Sequence, residues 1–179
     1  MFKLLALSLI LFSHGTFAKT SWENIKGFDL VSGISKEVKL EGQFSVVYFF
    51  NVNCPCSKAH FDHLNSLKNR FPDFSFIGFH SNKAISQKTA KKYFAKFEIE
   101  FPIFLDKELY FANIFKALKT PHVFIVDPQG ELVFQGGATN SRNPKKASKF
   151  YLLDALTALN QGQQPPTVVA KTLGCYIQR

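Results

Sequence analysis

The soft nucleophiles of this 179-residue chain are three cysteines, and two of them share one short segment, Asn53-Cys54-Pro55-Cys56-Ser57. That segment follows the apolar run Ser45-Val46-Val47-Tyr48-Phe49-Phe50 and opens a helix-like stretch from Pro55 to Arg70. A cysteine set where a buried strand ends and a helix begins meets unpaired N–H groups and the positive end of the helix dipole. Both favour thiolate over thiol, so a redox or metal-binding sulfur is expected at Cys54. Proline at the first helical position fits that boundary, because its missing N–H would have been unpaired there. The third thiol, Cys175, lies in Thr172-Leu173-Gly174-Cys175-Tyr176-Ile177 near the C-terminus. Three is odd, so at least one thiol per chain is unpaired or joined to another molecule.

The elements that must carry these sulfurs are read from periodicity. Ser45 to Asn51 reads as a buried strand, and Pro55 to Arg70 as a helix with Ala59, His63, Leu64 and Leu67 at helical spacing. Phe74 to Phe79 follows as a second strand. Ser86 to Phe97 is a helix presenting Ala90, Tyr93, Phe94 and Phe97 on one face. A short strand over Pro102 to Leu105 precedes a helix over Lys107 to Leu118. Val123 to Val126 and Glu131 to Gln135 form a hairpin joined by the turn-forming Asp127-Pro128-Gln129-Gly130. A last helix runs from Lys146 to Asn160 and stops at Gly162. Before the cysteines, Phe28 to Val31 and Lys36 to Leu40 form a further hairpin. Parallel strands with crossover helices, then an antiparallel hairpin, predict an α/β fold whose mixed central sheet is flanked by helices.

The amino terminus reads as a cleaved secretory leader over residues 1–18. Lys3 precedes the apolar run Leu4 to Phe12, and Thr16-Phe17-Ala18 supplies small residues before Lys19. Ser13, His14 and Gly15 interrupt the run well short of the roughly 20 apolar residues of a spanning helix. The expected product is secreted or periplasmic, in an oxidising environment where disulfides persist. Residues 19–179 suit a single domain with a C-terminal tail over 163–179. The 21 phenylalanines imply a well-filled interior. The net charge of +9 invites a nucleic-acid reading, but the lysines are spread over helix faces (Lys88, Lys91, Lys92, Lys96; Lys145, Lys146, Lys149) and read as a solvated surface. A weak attraction to an anionic membrane surface is compatible with that charge.

Histidine beside a Cys-x-Cys pair is a possible ligand set for Cu(I) or Zn(II). His60 is six residues past Cys54, which places it more than roughly 6 Å away by helical rise. No histidine pair has zinc-finger spacing. His122, next to Pro121, is the better candidate, either lowering the Cys54 pKa or joining Cys54 and Cys56 as a weak metal site. The plainer reading makes it a polar residue that starts a strand, and no cofactor is expected.

Three stretches resemble the thioredoxin-fold redoxins, which include peroxiredoxin-like and cytochrome-maturation-type thiol-disulfide oxidoreductases. They are the strand followed by Cys54-Pro55, the segment Phe101-Pro102-Ile103-Phe104-Leu105-Asp106, and Thr120-Pro121-His122-Val123-Phe124-Ile125-Val126-Asp127-Pro128-Gln129-Gly130. The second is similar to the strand inserted in those reductases. Asn140-Ser141-Arg142 and the Gly174-Cys175-Tyr176-Ile177 tail narrow the likeness to a redoxin branch ending in Gly-Cys-x-Ile. The resemblance implies a thioredoxin-like fold with an N-terminal hairpin and a redoxin-type insertion. It implies that Thr120-Pro121 is the family's cis-proline, presenting Thr120 as a strand edge to a thiol partner. It also implies that Cys175 folds back to resolve an oxidised Cys54, or merely staples the tail.

This chain departs from the family's reductases, which separate two cysteines by two residues. Ser57 stands at the expected position, and the second thiol is drawn back to Cys56. On a helix start those side chains point about 200° apart, so a Cys54–Cys56 bridge is expected to be strained and easily reduced. Four readings follow. The first is a thiol-disulfide oxidoreductase acting on protein thiols or disulfides, or on small thiols, with Cys54 attacking and Cys56 or Cys175 resolving. The second is a thiol peroxidase, against which stands Asn51 where peroxiredoxins carry threonine or serine, with Arg142 a possible peroxide-orienting charge. The third is a copper-delivering chaperone, which requires a histidine in the site. The fourth is a fold that kept its shape and lost its chemistry.

Overall fold

A computed structural model describes residues 24–40 and 44–179; the leader reading over residues 1–18 lies outside them. In chain order the strands are β1 (Asn24–Phe28), β2 (Ser35–Lys39), β3 (Ser45–Phe50), β4 (Ser75–His80), β5 (Ile103–Leu105), β6 (Lys119–Thr120), β7 (His122–Val126), β8 (Leu132–Gly136) and β9 (Cys175–Tyr176). The α-helices are α1 (Pro55–Ala59), α2 (Phe61–Arg70), α3 (Gln87–Phe94), α4 (Tyr110–Ile114) and α5 (Tyr151–Asn160).

All six residues of β3 are buried, as a strand covered on both faces requires. Val46, Tyr48 and Phe50 join an apolar cluster with Phe61, Phe94 and Leu156 on one side of the sheet. Val47 and Phe49 point to the other side, into a cluster with Ala112, Ala117 and Ile177. The central sheet runs β5-β4-β3-β7-β8. β3 pairs parallel with β4, β4 parallel with β5, and β7 antiparallel with both β3 and β8. This is the mixed sheet of the thioredoxin-like fold. No helix among the described residues is long and apolar enough to cross a membrane.

Several expected boundaries move, each for a local reason. The single helix over Pro55 to Arg70 is broken at His60, whose N–H bonds back to Ser57 O (3.2 Å) in a tightened last turn. The helix over Lys107 to Leu118 shrinks to α4 plus a 3₁₀ turn, because Glu108, Leu109 and Lys116 all take positive φ. The Asp106 carboxylate accepts the N–H groups of Phe111 and Ala112 and sets its start. The last helix begins at Tyr151 rather than Lys146, since Asn140 Oδ1 accepts the N–H groups of Ser148 and Lys149 and holds that stretch out of helix. The helix read as Ser86 to Phe97 spans Gln87–Phe94, with the Ser86 side chain accepting the Thr89 N–H at its start. The N-terminal hairpin is present, but its first strand ends at Phe28 rather than starting there. Buried Asp29 terminates it by accepting the N–H groups of Val31 and Ile103 and pairing with Lys36 (2.9 Å).

The tail after α5 is bound along its length. Gln135 exchanges backbone hydrogen bonds with Val168 and Ala170 (2.9 Å each). Beyond them β9 pairs antiparallel with β6, setting Cys175 opposite Thr120 and Tyr176 opposite Lys119. The Ile177 N–H donates to Leu118 O (3.0 Å) and its side chain is buried. Arg179 closes the chain onto Asn113 Oδ1 and Ala117 O.

Candidate functional site

Cys54 ends the short turn that follows β3, in an extended conformation (φ −103°, ψ 108°) as the residue before α1. Its N–H bonds to Asn51 O (3.0 Å), and its carbonyl accepts the Ser57 N–H (3.0 Å). Because it is not yet helical, the opposed side-chain directions expected for Cys54 and Cys56 do not arise. The sulfurs of Cys54, Cys56 and Cys175 all lie within 4.8 Å of one another. All three are thiols in this structure. The Thr120–Pro121 peptide is cis, and Thr120 O accepts the Cys54 S–H at 2.9 Å.

A small polar network fixes the corner. Ser57 Oγ accepts the Asn51 N–H (3.2 Å), while Asn51 Oδ1 accepts the Asn53 N–H (3.0 Å) and the Asn82 amide (3.1 Å). The Ser57 that breaks the familiar cysteine spacing is thus a buried strut. His60 donates Nδ1–H to Cys56 O (2.7 Å), a role fixed by the acceptor being a carbonyl.

The three thiols differ in proton affinity. Burial pushes Cys54 up, but hydrogen bonds from the Cys175 thiol, the Thr120 hydroxyl and the N–H groups of Cys175 and Ser57 outweigh it and bring Cys54 down to about 7. The Thr120 hydroxyl is buried without a partner while Cys54 is protonated, so it is free to turn toward the thiolate. Cys175 is pushed up to about 12, by burial and then by its bond to Cys54 and the charges of Cys54 and Cys56. Cys56 also rises, through burial and then the Cys54 charge, with Arg142 opposing. The cluster therefore gives up its first proton at Cys54.

The candidate His122 stands outside this cluster: among the described residues, the group close enough to share a metal ion is Cys54, Cys56 and Cys175. Burial, then nearby Lys119, holds His122 down at about 4, so it is neutral at physiological pH and offers no charge to the thiolate. Arg142, suggested by sequence as a charge for peroxide, acts instead on Cys56. Two contributors had no signal in the sequence. Tyr93 on α3 has its phenol pushed up by burial and then by the Cys54 charge, and Asn82 braces Asn51. Gly174 had a signal in its place beside Cys175: a Cβ there would collide with Thr120 O, so only glycine lets the tail lie this close.

A thioredoxin-like family model matches residues 42–132, and a search of curated proteins finds no match. Among solved structures, an uncharacterized conserved protein from Geobacillus kaustophilus superposes with a TM-score of 0.77 at 23% identity, covering 90% of this chain and 91% of that one. A hypothetical protein from Sinorhizobium meliloti 1021 gives a TM-score of 0.73 at 20% identity, covering 87% and 91%. A secreted Mycobacterium tuberculosis disulfide oxidoreductase homologous to E. coli DsbE gives 0.56 at 17%, covering 75% and 95%. The structural likenesses show the fold alone. Because the family model spans just over half of the 179 residues, from the start of β3 through the cysteine corner and the cis-proline to β8, the chain belongs to the thioredoxin-like family.

Proposed function

We propose that the protein is an exported thiol-disulfide oxidoreductase with Cys54 as nucleophile. One observation carries the reading: a thiol drawn down to about 7 lies within 4.8 Å of two thiols that hold their protons. Near neutral pH Cys54 supplies the attacking thiolate, and either neighbour is in reach to resolve the product. Cys54 attacks one sulfur of a partner disulfide, forming a mixed disulfide and releasing the other partner sulfur as a thiolate that takes a proton. Cys175 or Cys56 then loses its proton and attacks Cys54, leaving an internal disulfide and a second partner thiol. Two electrons and two protons pass to the partner, and an external dithiol resets the chain.

The substrates on this reading are protein disulfides or thiols. Support comes from fold neighbours named as a disulfide oxidoreductase and as a putative thiol:disulfide interchange protein from Chlorobium tepidum. Export rests on the leader-like residues 1–18 and on the secreted character of one neighbour. The peroxidase reading is weaker because Asn51, at the position that peroxiredoxins give to a hydroxyl, commits its side-chain oxygen to Asn53 and Asn82. Copper delivery required a histidine in the site, and the converging ligand atoms are all sulfur.

The test is dithiol-driven reduction of a model protein disulfide by the wild type and by Cys54→Ser. The variant is expected to lose about a thousandfold or more, since it lacks the attacking group. Full activity in Cys54→Ser overturns the assignment. A wild type that leaves disulfides alone but consumes hydrogen peroxide transfers it to the peroxidase reading.

A further inference from the structure

The most nucleophilic sulfur of the site is also the least accessible. Cys54 is 0% exposed, whereas Cys56 and Cys175 are half-buried. The tail closes the site: β9 sets Cys175 opposite Thr120, its sulfur lies within 4.8 Å of the Cys54 sulfur, and Gly174 packs on the Thr120 carbonyl and the Pro121 nitrogen. A partner disulfide cannot line up with Cys54 while this strand is seated. The edge it occupies, Lys119–Thr120, is the backbone beside the nucleophile with hydrogen-bonding groups to offer another chain.

The resemblance assigns the Thr120 edge to a thiol partner, and β9 already fills it. We propose that β9 is a displaceable internal stand-in for that partner, and that residues 174–179 leave the Lys119–Thr120 edge so that Cys54 meets the sulfur of an extended, cysteine-bearing protein segment. This rests on the oxidoreductase reading. The seated tail shows what the edge accepts. A small residue meets Thr120 O, a cysteine stands opposite Thr120, and an aromatic ring lies 4.9 Å from the Lys119 ammonium. An aliphatic side chain then enters the apolar cluster that includes Ala112 and Ala117. The preferred partner segment is small–Cys–aromatic–aliphatic in an unfolded or flexible stretch. Only two residue pairs join β6 to β9, so the strand pairing itself is easily opened. The latch is Ile177 together with the Arg179 contacts.

Displacement also orders the reaction. With the tail away, Cys54 gives up the Cys175 donors but keeps the Thr120 hydroxyl and the Ser57 N–H, and its thiolate fraction forms the disulfide with the partner as the partner's other sulfur leaves. When β9 returns, it evicts the partner backbone and delivers Cys175 to the Cys54 sulfur. The Cys175 thiolate forms the internal bond as the partner's remaining sulfur departs and takes the proton that Cys175 gave up. Resolution and release become one event.

The experiment is alkylation of the fully reduced chain with iodoacetamide at pH 8, with each cysteine followed by peptide mass spectrometry. In the wild type Cys54 is expected to react more slowly than Cys56 despite being the more ionised. Gly174→Ala and Ile177→Ala, which unseat the tail without substituting a thiol, should speed Cys54 labelling about tenfold or more, because the access gained outweighs the loss of the Cys175 donors to the thiolate. Protection of the β3 amides from hydrogen exchange checks that the variants stay folded. A peptide of residues 171–179 carrying serine for Cys175 should slow Cys54 labelling again in Ile177→Ala. Fast Cys54 labelling in the wild type, or labelling unchanged in both folded variants, overturns the proposal. Labelling needs no partner. Exchange activity with unchanged labelling would therefore defeat the tail alone, and tail-gated labelling without exchange on any disulfide would defeat the oxidoreductase reading.

Discussion

The strand–helix corner and the C-terminal tail each contribute a thiol to one cluster, and the fold drives the two in opposite directions. Cys54 is wholly buried yet brought down to about 7; Cys175 is half-buried yet pushed up to about 12. Burial alone would raise both, and would raise Cys54 more. The difference lies in which sulfur collects the donors. Cys54 receives hydrogen bonds from Cys175, Thr120 and Ser57, whereas Cys175 donates to Cys54 and feels its negative charge. One proton is thereby kept on the tail so that the corner sulfur gives up its own. Reactivity in this site is a property of the pair, not of the more exposed group.

Removing Cys175 should break that asymmetry most strongly. In Cys175→Ser the loss of the resolving thiol should cut turnover with a protein disulfide about a hundredfold if the tail resolves. A drop of less than about tenfold would pass the resolving role to Cys56. The Cys54 titration, followed by thiolate absorbance, should differ from the wild type, because the donor facing it has changed from a thiol to a hydroxyl.

The pH dependence of stability sharpens the comparison next. The folded state lowers Cys54 from the ordinary thiol value near 9 to about 7, so between those values the unfolded chain holds a proton that the folded chain has released. Stability from this group is present above about 9 and is lost as pH falls through about 7. The stability difference between wild type and Cys54→Ser, from urea unfolding under reducing conditions, should therefore grow by on the order of 2 kcal/mol from pH 7 to pH 9. A difference that is flat across this window would mean that Cys54 titrates like an ordinary thiol.

Thr120→Val is the finest cut, since it keeps the side-chain shape and the backbone carbonyl that accepts the Cys54 S–H. Losing the hydroxyl should raise the Cys54 pKa and lower its thiolate fraction at pH 7, slowing iodoacetamide labelling of tail-unseated Ile177→Ala by about threefold. An unchanged rate would mean that the Thr120 hydroxyl does not stabilise the thiolate once the tail has left, and would leave that role there to the Ser57 N–H.

Where the sequence reading succeeded, the signal was local and repeated. The unbroken apolar run of β3, the stretch from Phe74 to Phe79 that alternates and then runs apolar, and the Asp127-Pro128-Gln129-Gly130 turn each specify an element within a few residues. Where it failed, a distant or unusual contact had intervened. A tightened turn at His60 split the first helix, positive φ at Glu108, Leu109 and Lys116 shortened another, and the Asn140 side chain delayed the last. At the site, proline after Cys54 marks the helix start, but helical geometry does not reach one residue back onto Cys54. Its extended dihedrals reverse the expected separation of Cys54 and Cys56.

The sequence by itself determined the α/β layering with a mixed central sheet, the placement of Cys54 at a strand–helix corner, and the presence of a third thiol beside a glycine, because apolar period, proline position and residue type are local properties. Only the tertiary structure decided which thiol ionises first and what covers it. Those outcomes depend on Cys175 crossing to Thr120, on the burial of Cys54, and on neutral His122 standing outside the sulfur cluster. Proton affinity is set by the donors, charges and solvent that a folded chain brings to one point from distant parts of its sequence, and no local spacing encodes that sum.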